Sequence, residues 1–182
     1  MFNKKRIIGV LSSAVLLAAI AGAPAHAVTL TITAGTLNFD GGTPAISNFS
    51  GVTLNGTPQL TSLSVDPFTV VDATGSGDGW NVLLTIPDLS DGASPTPHTI
   101  ASSNISMVAP VVTAATTSSM TGVAGHASAG GFNAGEKIVT AALGDGEGTY
   151  LVAPRILKLT IPVTTFAAAY TSAATIATVD GP

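Results

Sequence analysis

After residue 27, apolar residues recur at every second position in several short runs, and none holds a helical period for about ten residues or more. Val28, Leu30 and Ile32 alternate with threonines, which predicts a half-buried strand ending before Gly35. Leu37 and Phe39 make a second short piece, closed by the turn cluster Asp40-Gly41-Gly42-Thr43-Pro44. Between residues 45 and 66 the alternation is weaker. Ile46, Phe49, Val52, Leu54, Leu60, Leu63 and Val65 are its anchors, and Gly51, Gly56 and Pro58 interrupt it.

The strongest pattern runs from residue 70 to residue 86, apolar, then glycine-rich, then apolar again. Val70 and Val71 form one strand, and Trp80, Val82, Leu84 and Ile86 share one face of the next. Leu83 is apolar on the other face, so this strand should be buried on both sides or nearly so. Gly75, Gly77 and Gly79 permit positive φ, while Asp72, Ser76 and Asp78 offer local hydrogen bonds. The loop is too long for a two-residue turn, so the expected unit is a hairpin with a longer, bulged connection. Pro87 ends the second strand.

Further along, residues 88–97 read as an exposed loop. Residues 99–112 read as one or two strands anchored by Ile100, Ile105, Met107, Val111 and Val112. Residues 113–133 lack a clean period and read as short strands with loops, or as a flexible excursion. A strand is expected over 137–143, a flexible turn over 144–148, and a clear strand over 156–161 with Leu157, Leu159 and Ile161 inward. Residues 166–169 hold three alanines, which fits one helical turn, and 170–179 form the last strand. Short strands between regular turn signals predict an all-β fold: an antiparallel β-sandwich, immunoglobulin-like in general architecture. A barrel is the second architecture that fits. Neither a repeat nor a linker divides residues 28–182, which are expected to form a single domain.

The first 27 residues carry a different pattern. Lys4, Lys5 and Arg6 precede an apolar run over residues 7–20, and Ala25-His26-Ala27 follows as a small-residue cleavage site. This is the layout of a signal peptide, and the apolar run is short for a membrane span. The expected product is a secreted chain beginning at Val28. From there on, Lys137, Arg155 and Lys158 face ten acidic residues, about −7 in net charge. Three scattered cations make no nucleic-acid patch and no polybasic membrane surface. Cysteine is absent, so neither disulfides nor thiolate metal sites are expected. A hydroxylated, weakly charged surface protects little against self-association.

Two stretches carry a family likeness. Residues 72–83 read Asp-Ala-Thr-Gly-Ser-Gly-Asp-Gly-Trp-Asn-Val-Leu, and residues 170–182 read Tyr-Thr-Ser-Ala-Ala-Thr-Ile-Ala-Thr-Val-Asp-Gly-Pro. They resemble the two signatures of the WxL domain family, surface proteins of Gram-positive bacteria. The upstream signature is a glycine-rich run closing on a Trp, here Trp80, with Val82 intervening before Leu83. The downstream one is a Tyr, a Trp-x-Leu in the final strand, then an Asp and a Pro. Here Tyr170, Asp180 and Pro182 keep the frame, while Ile176 and Thr178 hold the Trp and Leu places. The likeness covers most of residues 28–182. It implies a β-sandwich held non-covalently to the cell wall through peptidoglycan, with Trp80, Leu83, Tyr170 and Ile176 as motif residues and wall contacts. From the residues themselves, Trp80 is either a core indole or part of a binding face, and a large aromatic on an apolar strand favours the core. Ile176 would share a face with Tyr170 and Ala174, which favours the core for it too.

Catalytic chemistry finds little footing. His98 and His126 lie in loop-like segments without partners at metal-ligand spacing. No Gly-x-Ser-x-Gly elbow occurs, and the aspartates stand beside glycines, where turn chemistry explains them. Asp72 with Asp78, and Asp145 with Glu147, place carboxylates in glycine loops that calcium could use, without EF-hand spacing. No cofactor is implied. The reading is a secreted, non-catalytic protein of the cell wall or cell surface that binds peptidoglycan or another wall component. The alternative is a structural subunit of a surface layer or fibre, whose partners are other surface proteins or further copies of itself.

Overall fold

A computed structural model describes residues 29–181. The expected leader, residues 1–27, and Val28 lie outside the described residues. The chain divides into two units, Met1–Ile32 and Thr33–Pro182. In the first, residues 29–32 form no strand, and Leu30 and Ile32 are 82% and 85% exposed. The strand expected there has the right alternation but no ladder partner among the described residues, and alternation alone does not hold a strand.

The second unit is built from short strands in chain order: β1 (Leu37–Asp40), β2 (Gln59–Val65), β3 (Phe68–Asp72), β4 (Trp80–Thr85), β5 (Leu89–Ser90), β6 (Thr99–Ile100), β7 (Ile105–Met107), β8 (Val112–Ala114), β9 (Val123–Gly125), β10 (Ser128–Ala129), β11 (Glu136–Ala141), β12 (Gly148–Val152), β13 (Arg155–Ile161) and β14 (Thr175–Asp180). Every pairing is antiparallel. Three sheets run β1-β3-β12-β8, β10-β7-β13-β2 and β14-β4-β11-β9, and β5 pairs with β6 alone.

The first two sheets share their strands across a common line. β2 passes into β3 through Asp66 and Pro67, β12 into β13 through Ala153 and Pro154, and β7 into β8 through residues 108–111, including Pro110. A proline has no N–H to give a ladder, so three prolines at one level interrupt the pairing and bend the layer. The β14-β4-β11-β9 sheet forms the facing layer, with β1 beside β14 and β8 beside β9 at the margins. One continuous apolar core fills the space between, so the fold is a β-sandwich. Leu63, Val65, Leu157, Leu159 and Ile161 come to it from the bent layer, and Trp80, Val82, Leu84, Ile86 and Ile176 from the other. Each such side chain contributes roughly 1.5–3 kcal/mol by leaving water.

Several expectations change. β3 and β4 are not a hairpin, because β3 pairs with β1 and β12 while β4 pairs with β14 and β11. The glycine-rich loop carries the chain from one layer to the other, and each strand finds partners from far along the sequence. Leu60 is 69% exposed, because Thr61, Leu63 and Val65 take the inward positions of β2. The loop expected over 88–97 contains β5, whose Leu89 is buried. Residues 166–169 form a bend with no helical turn, and the last strand starts at Thr175, so Tyr170 lies outside it. A single turn of alanines gains too few hydrogen bonds to hold a helix without packing, and these alanines are exposed.

Candidate functional site

Parts of the two stretches compared above, residues 80–83 and Thr175–Asp180, are neighbours in one sheet. β4 and β14 pair with Trp80 opposite Asp180, Leu83 opposite Ala177 and Leu84 opposite Ile176. Past the last pair, the Gly181 N–H donates to the Gly79 carbonyl at 3.0 Å, and the Asn81 side-chain amide donates to the Gly181 carbonyl.

Trp80 is fully buried. Its indole N–H donates to the Gly146 carbonyl at 2.8 Å, and its ring packs against Tyr150 with centroids 5.5 Å apart. Gly146 has φ of 89°, and a Cβ there would stand 2.7 Å from the indole nitrogen, so only glycine fits. The indole therefore ties the 142–147 loop to the core and offers no face to a ligand. Ile176 is buried as well. Leu83 is half-buried on the outer face of β4, beside Lys137 and Ala177, and Tyr170 is half-buried. Any contact made by the motif residues therefore falls to Leu83 and Tyr170.

The carboxylates gather at the glycine-rich end. Asp72 is buried, and its Oδ1 accepts the Thr74 N–H at 3.0 Å and the Thr74 hydroxyl at 2.7 Å. Asp78 and Glu147 are exposed, and Asp145 is half-buried. The Tyr150 hydroxyl lies 2.8 Å from the Ser119 carbonyl and 3.1 Å from the Glu147 carbonyl. Burial raises its pKa above the usual tyrosine value, and the charges of Asp72, Asp145 and Glu147 push in the same direction. Among the described residues, no group of three or more His, Asp or Glu side chains is placed to hold a metal ion.

At the other end of β4 the chain forms a cleft. Thr171 exchanges backbone bonds with Ser90 at 2.8 and 2.9 Å, and the Ser172 hydroxyl donates to Pro87 O at 2.7 Å. These bonds hold a strap over residues 165–170 across from residues 49–54. Between them lies a cavity of about 610 Å³ whose floor includes Leu89, Ile100, Leu159 and Ile161, with Tyr170 at its side. No charged residue lines it. Phe166 of the strap stacks on His98 with centroids 4.1 Å apart, and His98 Nδ1 stands 2.7 Å from Asp91 Oδ2. The Ala93 N–H and then His98 hold the Asp91 carboxyl below its usual pKa. His98 Nε2 makes no hydrogen bond among the described residues, so the pair lacks the third member of a Ser-His-Asp triad. His126 is exposed, with Nε2 2.7 Å from the Thr140 hydroxyl.

Sequence reasoning missed this cleft. The sequence reads Phe49, Val52 and Leu54 as anchors of a weak alternation and Phe166 as part of a helical turn, whereas in the structure all four lie outside any strand or helix and line the cleft. Comparison with known proteins finds no family model, no curated protein and no solved structure that matches the chain.

Proposed function

We propose that this chain is a secreted, non-catalytic surface module held to the bacterial cell wall without a covalent link, through peptidoglycan or another wall component. The observation that supports the reading is the pairing of the strands within the two stretches: Trp80 and Asp180, about a hundred residues apart in sequence, stand opposite each other on adjacent strands. Trp80 and Ile176 serve this module from within, as core. Leu83, Tyr170 and the uncharged cleft beside Tyr170 are the surfaces left to touch a wall polymer.

Residues 28–182 carry about −7 charges, so attraction to anionic wall polymers is not the driving force. Contacts must be apolar, aromatic or hydrogen-bonded, and such contacts tolerate salt. In sedimentation with purified peptidoglycan, retention should be equal at low salt and at 1 M, where charges are screened beyond roughly 3 Å. No binding at either salt would reject the reading. The alternative, a self-assembling subunit, is favoured by one specific feature, the exposed Leu30 and Ile32.

A further inference from the structure

We infer that the cleft between residues 49–54 and 165–170 receives residues 29–32 of a second copy as an added strand. The inference does not rest on wall binding, and a strand seated there would take the cleft from a wall polymer and leave the exposed part of Leu83 to it.

The donor is Thr29-Leu30-Thr31-Ile32. Leu30 and Ile32 are the most exposed large apolar side chains described, at 82% and 85%. They stand two residues apart, so in an extended chain both point the same way while the threonines face water. The segment reads as a strand and has no ladder partner among the described residues.

The acceptor supplies what that strand lacks. Its floor of Leu89, Ile100, Leu159 and Ile161 is apolar and large enough for two aliphatic side chains. Among the described residues, the backbone groups of residues 51–54 and 167–169 have no hydrogen-bond partner, so both walls have amides and carbonyls to offer an entering chain. Val52 and Leu54, each 38% exposed, give further apolar contact. Neither donor nor cleft carries a charge, so the contact between them is apolar and main-chain in character. The mode is strand addition, with the main chain giving affinity and alternate side chains giving register. Donor and acceptor are different patches, so the contact is heterologous, and repeated it builds rings or open chains.

The chain has no cysteine, so introduced thiols are unambiguous. Full chain bearing Leu30→Cys is mixed with full chain bearing Val52→Cys and oxidised. A Thr113→Cys copy, altered at an exposed position on β8, replaces the Val52→Cys copy in the control. Docking raises the local thiol concentration, so the cross-link between positions 30 and 52 should exceed the control by roughly tenfold or more. Adding Ile32→Asp to the donor copy, or an excess of synthetic peptide spanning residues 29–35, should return the yield to the control. A 30–52 yield equal to the control, or one unchanged by Ile32→Asp and by the peptide, would overturn the inference.

Discussion

Trp80 has two roles in its sheet. It fills the core against Tyr150 and donates to the Gly146 carbonyl. Replacing it with alanine should cost about 3–5 kcal/mol, read as a lower denaturant midpoint. Trp80→Phe keeps much of the packing and loses the hydrogen bond, so it should cost less. As the sole tryptophan, fully buried, it should emit at short wavelength in the native state. Native emission typical of an exposed indole would contradict that burial. Tyr150 makes a second test at this scale. Its pKa is raised in the folded state, so the fold holds the phenol proton more tightly than the unfolded chain does. Stability from this source is fully present below about pH 10, the unfolded value, and is lost as pH climbs through the higher folded value. Tyr150→Phe should flatten the alkaline side of the stability curve relative to wild type. An alkaline slope unchanged by the substitution would show that Tyr150 does not titrate with unfolding.

The elements divide by how local their causes are. The strand at 156–161 was legible because Leu157, Leu159 and Ile161 alternate with Lys158 and Thr160, and β13 buries the first set. β4 was legible for the same reason. Residues 73–79 look like a turn and so suggest that β3 pairs with β4, yet turn chemistry is silent on whether the chain returns to its own sheet or crosses to the facing one. Gly75, Gly77 and Gly79 do have positive φ, at 64°, 70° and 72°, but in a crossing. The site was legible only in part. The sequence leaves Trp80 as core or binding face and favours the core for it and Ile176, whereas the cleft depends on Phe49, Leu89 of β5 and Tyr170 converging from separate parts of the chain, which no local pattern encodes. The loop after β11 shows how closely such pieces fit. Gly146→Ala would drive a Cβ against the Ala141 Cβ and the indole and strain a backbone at φ 89°, at a cost of roughly 1–3 kcal/mol. Trp80→Ala removes the indole part of that crowding and leaves the Ala141 contact and the backbone strain, so the double variant should lose somewhat less than the sum of the two single ones. A strictly additive double-mutant cycle would show that the indole adds nothing to the cost at Gly146.

At the scale of the molecule, both layers feed one core, and the chain crosses between them repeatedly instead of finishing one layer before starting the next. β4 lies between β14, near the end of the chain, and β11, so removing any of these strands exposes its neighbours. Such a unit has no part that can melt by itself, and it should unfold in a single transition. Trp80 emission and the far-ultraviolet β signal should therefore fall together in denaturant. This bears on the wall-binding proposal. A module whose surface is assembled from loops around one core can hold a polymer only while that core is intact. Its retention on peptidoglycan should therefore be lost over the same narrow denaturant range as Trp80 burial, at low and high salt alike. A truncation before Tyr170, which removes the strap end and β14, should abolish retention and the transition together. Retention that survives past the unfolding midpoint would mean that the wall is bound by the unfolded chain, and the folded-surface proposal would fall.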